Sequence, residues 1–141
     1  MKKTSMILCG MMLLASSAMA QVKVIAHRGH WNSQGAAQNS IAAMQNAKKA
    51  DVWGSEFDVH ITTDGTVVVN HDDDIHGIII ENAKYADIKN LKLANGEPIA
   101  TLKSYLEAGK KLAPMQLILE IKAHQTPERE DRCVKACLDL V

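Results

Sequence analysis

Residues 53–61, Trp-Gly-Ser-Glu-Phe-Asp-Val-His-Ile, constrain the fold of this chain more than any other stretch. The run reads as a strand. On a strand Glu56 and Asp58, two apart, point to the same face. Two carboxylates side by side repel, so the pair is costly unless a cation lies between them. Phe57 and Val59 make the stretch strongly apolar, and acids in such strands need a partner. The expectation is a buried strand whose acidic face serves a site.

Other stretches supply strands and helices in alternation. Residues 22–26 predict a strand ending at His27, and residues 115–122 a third main strand carrying Glu120. Asn39 or Ser40 caps a helix running to about Ala50, with Ile41, Met44 and Ala47 inward. Thr63-Asp64-Gly65 is a turn, and residues 66–70 return as an extended run, so this pair reads as a hairpin. Residues 72–77 form an acidic loop. Residues 78–100 are less regular, with a helical turn near 85–91 and a turn at Asn95-Gly96. A short helix is expected at 102–108, stopped by Gly109. Another starts at Thr126-Pro127-Glu128, with Pro at its first position and an acid in its first turn. The order strand, helix, strand, excursion, helix, strand, helix predicts an α/β fold with a parallel sheet.

The chemistry-bearing residues sit at or near the ends of these strands. Glu56, Asp58 and Glu120 converging from two strands make an oxygen-only site, which suits Mg²⁺ or Ca²⁺ better than zinc. His27 and His71 are the natural proton carriers, since imidazole titrates near neutral pH. Cleaving a phosphodiester needs a base for the attacking oxygen and an acid for the departing one. Arg28 offers forked hydrogen bonds to phosphate, and Gly29 beside it lets the backbone turn sharply. Lys122 shares the face of Glu120, where it could neutralise phosphate charge or balance that acid. Asp72 follows His71 and is placed to support it, whereas Asp73 and Asp74 are expected to face solvent. His30, His60, His76 and His124 lack this combined context and are read as ordinary histidines.

The N-terminus reads as a secretory signal: Lys2 and Lys3, a short apolar run at 6–15, and Ala18-Met19-Ala20 before the expected cleavage. That run is too short to span a bilayer as a mature helix. The expectation is an exported protein, periplasmic or secreted, with no integral membrane segment after processing. The full chain has 16 basic and 16 acidic residues; without Lys2 and Lys3 the balance is 14 to 16, which offers no nucleic-acid or anionic-membrane surface. Cys133 and Cys137, four apart on a helix, share a face and are expected as half-buried thiols.

Several motifs together resemble one family. They are AHRG at 26–29, QNSIAA at 38–43, GSEFDVHITTDGTVVVNHD at 54–72, YADIKNLKLANGEPIATLKSYL at 85–106 and LILEIK at 117–122. With this spacing the chain is similar to the glycerophosphodiester phosphodiesterase family over nearly all of residues 21–141. The resemblance implies a TIM-type (β/α)₈ barrel, present here as its first few strand–helix units, with an insertion at about 62–104. It implies His27 and His71 as general base and general acid, and Glu56, Asp58 and Glu120 on a divalent cation, Ca²⁺ or Mg²⁺. Arg28 would meet the phosphate. These positions fall at the C-terminal ends of barrel strands, where such enzymes keep their chemistry.

The implied reaction is hydrolysis of a small glycerophosphodiester to an alcohol and glycerol 3-phosphate. A related barrel phospholipase or lyase is the nearest alternative, and an inactive fragment or binding module the one from a different class. The segment after Asp72 favours the first. One departure is Gln38-Asn39, where the family commonly has Glu-Asn. Another is length, since such a barrel needs roughly 250 residues. Val134, Cys137, Leu138 and Val141 continue an apolar stripe to the last residue, so the chain is expected to be the N-terminal portion of a longer domain.

Overall fold

The computed structural model describes residues 22–141, and the signal expected at residues 1–20 lies outside the described residues. In chain order the elements are β1 (Ile25–Ala26), α1 (Ile41–Lys49), β2 (Gly54–Ile61), β3 (Val67–Val69), β4 (Asp74–Ile75), β5 (Ile78–Ile79), α2 (Tyr85–Ile88), β6 (Ala100–Thr101), α3 (Leu102–Lys110), β7 (Gln116–Ile121) and α4 (Pro127–Leu138). Among the described residues no helix is long and apolar enough to cross a membrane.

β2 organises the sheet, and all eight of its residues are buried. One of its edges is shared. β1 pairs parallel with Gly54 and Ser55, and β3 pairs antiparallel with Val59, His60 and Ile61. The other edge is taken by β7, parallel and in register from Gly54↔Gln116 to Val59↔Ile121. β6 extends the sheet beyond β3. Between β1 and β3 the edge of β2 at Asp58 is met by other groups, the Asn39 side chain accepting the Asp58 amide and the Asn70 amide donating to the Asp58 carbonyl.

Alternation along β2 separates two environments. Phe57, Val59 and Ile61 join Met44 and Ala47 of α1, Tyr105 of α3 and Cys133 and Cys137 of α4 in the main core. The Phe57 and Tyr105 rings lie 4.6 Å apart. Complete burial of Phe57 contributes roughly 1.5–3 kcal/mol. The opposite face carries Glu56, Asp58 and His60. A second apolar cluster, Val68, Ile75, Ile80, Ala83, Ile88 and Ile99, packs the excursion against β3. The ends of that excursion, β3 and β6, belong to the main sheet.

Some expectations change. The strand over 22–26 reduces to β1: the Val24 carbonyl accepts from Trp53 and Gly54, but the Val22 and Val24 side chains are exposed, with no layer to cover them. Ser40, rather than Asn39, caps α1, its side chain accepting from the Ala43 amide. Gly109 does not stop α3. A β-carbon there would lie 2.4 Å from Leu117 Cδ1, so the glycine lets the helix press against β7. Asp74 is not simply solvated. It opens β4 and accepts from the Gly77 amide at 2.7 Å, closing the β4–β5 turn. The α4 start is as expected, with Thr126 capping and Pro127 first. Cys133 and Cys137 are free and buried. Their mutual hydrogen bond holds the Cys133 thiol above its ordinary range, and burial pushes the same way.

Candidate active site

β2 and β7 deliver the acids. Asp58 stands opposite Glu120 in the parallel register. One oxygen each from Glu56, Asp58 and Glu120 lies within 4.8 Å of the others. Glu56 and Asp58 are buried; Glu56 Oε1 has no hydrogen-bond partner, and Asp58 Oδ1 meets only the Lys122 ammonium, at 3.4 Å. Buried acceptors without donors are rare and need an explanation. An all-oxygen donor set that includes an orphaned buried carboxylate oxygen fits a hard divalent cation. Burial raises the Glu56 carboxyl above its ordinary range; the Arg28 amide pulls it down, and Asp58 pushes it up again.

Lys122 crosses the mouth of this cluster. Its Nζ donates to Glu120 Oε1 at 2.9 Å and lies 3.4 Å from Asp58 Oδ1. The bond to Glu120 is the main reason its ammonium is held above the usual lysine range.

Arg28 ties the two sides of the site together. Its amide donates to Glu56 Oε2 at 2.7 Å, and Nε lies 3.9 Å from Asp58 Oδ2. Nη1 donates to Gln38 Oε1 at 2.6 Å. Nη2 lies 2.7 Å from His71 Nε2. Arginine only donates, so this His71 nitrogen carries no proton, and the ring proton sits on Nδ1. Nδ1 donates to Asp72 Oδ1 at 2.7 Å. His27 stands on the other side. Its Nε2 is 3.9 Å from Glu56 Oε2, and its side chain is 66% exposed. A cleft of about 430 Å³ opens beside His71, lined by Trp31, Gln38, Asn70 and Leu93 among others.

The backbone is bent to make this arrangement. Arg28, Gly29 and Asn39 have positive φ of 57°, 74° and 61°. Each such non-glycine residue costs of order 1–3 kcal/mol and persists only where its surroundings hold it. At Gly29 an added β-carbon would also lie 2.7 Å from the Ala43 backbone, so the loop packs directly on α1. Asn39 is held by Asp58: its Nδ2 donates to Asp58 Oδ2 at 2.9 Å, and its Oδ1 accepts the Asp58 amide at 3.2 Å. Glu97 accepts the Ile41 and Ala42 amides, satisfying the α1 N-terminus from 55 residues away in sequence.

All seven residues singled out from sequence gather here: His27, Arg28, Glu56, Asp58, His71, Glu120 and Lys122. Asn39 was foreseen only as a possible helix cap, although it adjoins the Gln38 departure. His60 was read as ordinary, yet it continues the Glu56, Asp58 alternation and lies 3.3 Å from the His71 carbonyl. Burial lowers its pKa from the usual imidazole value.

Residues 27–140 match the model of the family described as the glycerophosphoryl diester phosphodiesterase family. Among curated sequences, glycerophosphodiester phosphodiesterase of Caldanaerobacter subterraneus subsp. tengcongensis is 44% identical over 52 residues, 37% of this chain and 21% of that protein. Glycerophosphodiester phosphodiesterase 1 of Rattus norvegicus is 40% identical over 55 residues, 39% of this chain and 16% of that protein.

Among solved structures, a glycerophosphodiester phosphodiesterase from Parabacteroides distasonis superposes with a TM-score of 0.83 at 47% identity, covering 84% of this chain and 50% of that one. An Oleispira antarctica phosphodiesterase, in complex with the product sn-glycerol-3-phosphate, gives a TM-score of 0.72 at 28% identity, with 84% and 51% covered. The chain thus spans about half the length of these structures, and its match covers a smaller share of the curated relatives. β1, β2 and β7, with α1 and α3 between them, are strand–helix units of a TIM-type (β/α)₈ barrel, the α/β class expected from the sequence.

Proposed function

The chain belongs to the glycerophosphoryl diester phosphodiesterase family, and on that premise we propose that its site serves the metal-dependent hydrolysis of small glycerophosphodiesters to an alcohol and glycerol 3-phosphate. One observation carries the proposal: three carboxylates converge within 4.8 Å, directly beside an Arg28–His71 pair.

Glu56, Asp58 and Glu120 would hold the cation, of the Mg²⁺ or Ca²⁺ type. When bound it would offset negative charge on the phosphodiester oxygens. Arg28 presents guanidinium donors to the phosphate, pre-aimed by Gln38 and by its own amide bond to Glu56. Lys122 adds a second positive charge on the far side. His27 and His71 divide the two proton transfers, one taking a proton from the attacking oxygen and the other giving one to the departing alcohol. Asp72 holds Nδ1–H of His71 and Arg28 occupies the Nε2 lone pair, so the ring is fixed from both sides and must exchange the Arg28 bond for a substrate proton when it acts. Action outside the cytoplasm belongs to the same proposal and rests on residues 1–20.

The test is release of glycerol 3-phosphate from glycerophosphocholine or glycerophosphoethanolamine by the purified protein, with Mg²⁺ or Ca²⁺ present. Activity that EDTA abolishes and His27→Ala removes is expected. No release from either compound, or full activity in His27→Ala, overturns the reading.

A further inference from the structure

We propose that His60 is a positioning residue for His71, acting through the main chain of the Asn70-His71-Asp72 turn. The proposal rests on the hydrolase reading above. His60 projects from the same face of β2 as Glu56 and Asp58, one alternation further along, and is 2% exposed. Its Nε2 lies 3.3 Å from the carbonyl oxygen of His71. A carbonyl only accepts, so His60 donates Nε2–H to it. Among the described residues, no other hydrogen bond reaches that carbonyl.

The neighbouring peptides are tied by different groups. The Asn70 amide donates to the Asp58 carbonyl at 3.0 Å. The Asn70 side chain donates to the carbonyls of Asp72 and Asp74 at 2.8 and 3.1 Å. These bonds hold the turn on either side of His71, and the peptide of His71 itself depends on His60. The His60 ring is in turn held edge-on by His124, with centroids 5.8 Å apart. His124 is fixed to the same strand, its Nε2 accepting the Ile61 amide at 3.2 Å. Two histidines thus make a strut from β2 to the turn that carries His71.

The strut matters because the His71 ring meets two partners at once, Arg28 at 2.7 Å and Asp72 at 2.7 Å. A small displacement of its peptide lengthens both contacts together. Misplacing a reacting group by about 1 Å costs on the order of a hundredfold in rate. Losing one tether of several shifts the turn by less, and a roughly tenfold loss follows.

The experiment compares His60→Leu, which fills the space without a donor, with His60→Gln, whose amide N–H can still reach the carbonyl. kcat and KM for glycerophosphocholine, Mg²⁺ affinity, and the imidazole ¹⁵N shifts of His71 in the cation-free protein are measured for each. His60→Leu is expected to lower kcat about tenfold, with KM and Mg²⁺ affinity within twofold of the unaltered protein. The His71 Nδ1–H resonance should broaden or move. His60→Gln should recover kcat to within threefold and restore the ¹⁵N pattern. If the leucine variant does not fold, His60→Met carries the same comparison.

Unchanged kcat in the donor-less variant overturns the proposal. So does equal loss in the leucine and glutamine variants, which would make His60 a packing residue. A loss confined to Mg²⁺ affinity also overturns it, since His60 would then serve the carboxylates. If the unaltered protein hydrolyses no glycerophosphodiester, the hydrolase reading falls, and the ¹⁵N comparison alone decides whether His60 orders His71.

Discussion

Replacing Glu56 with glutamine separates the two things this carboxylate does: repel its neighbours and attract a cation. In the metal-free protein its oxygen lies within 4.8 Å of one oxygen each from Asp58 and Glu120. At that separation each like-charge pair costs about 3.5 kcal/mol with an effective dielectric constant near 20. The Arg28 amide, 2.7 Å from Glu56 Oε2, and the His27 ring, 3.9 Å from the same oxygen, offset only part of it, so the charged form of Glu56 stays disfavoured.

Burial, the largest cause, keeps the folded-state pKa of Glu56 above its ordinary 4.5, and Asp58 and Glu120 add to it. The sign follows. Well below pH 4.5 the group is protonated in both states and costs nothing. The penalty grows as pH rises through 4.5 and is complete above the raised folded value. Glu56→Gln keeps an acceptor for the Arg28 amide and removes the charge. In EDTA at pH 7.5 it should therefore melt higher than the unaltered protein, by roughly 4 °C for each kcal/mol of repulsion relieved. At pH 4 the two should nearly coincide.

Saturating Mg²⁺ reverses the order. A cation at a hundred times its Kd adds about 2.7 kcal/mol to the unaltered protein and little to the variant. Differential scanning calorimetry with and without EDTA, at both pH values, reads all four quantities. A variant that melts lower in EDTA at pH 7.5, or that gains as much from Mg²⁺ as the unaltered protein, refutes the reasoning.

Three other substitutions test separate parts of the site. His71→Ala should lower kcat by about 10²–10⁴-fold while Mg²⁺ affinity, measured by titration calorimetry, stays within a few-fold. Asn39→Ala removes both bonds to the buried Asp58 and should cost about 2–4 kcal/mol in urea unfolding, because the Asp58 amide and Oδ2 are left unpaired. Asn39→Asp should be at least as damaging, since it sets a carboxylate against Asp58 Oδ2. Gly29→Ala forces a β-carbon into the Ala43 backbone at φ 74° and should destabilise by at least about 2 kcal/mol in the same assay.

The site was legible to the extent that it follows strand arithmetic. Glu56 and Asp58 declare one face because side chains alternate along a strand, and the apolar residues between them declare that the strand is buried. Glu120 on β7 and Lys122 just past its end repeat the pattern. His71 beside Asp72 announces its own orienting partner, since adjacent residues can meet without knowledge of the fold. The Ser40 cap and the Thr126-Pro127 start were within reach for the same reason. The misjudged positions depended on contacts between distant segments. Gly109 looks like a helix stop until Leu117 of the next strand is seen pressed against it. Asn39 looks like a cap until its side chain turns to Asp58, 19 residues on.

By itself the sequence determined the α/β class, the acids on one strand face and the presence of two imidazoles and a guanidinium at strand ends. These follow from local periodicity and from chemistry that each residue carries wherever it sits. Tertiary structure alone decided that β1 and β3 share one edge of β2. It also decided that Arg28, at positive φ, meets both Gln38 and His71, and that His60 stands behind the His71 turn. Such choices lie beyond a linear reading, because they depend on how crossover helices bring remote backbone together and on which buried polar atoms then find partners.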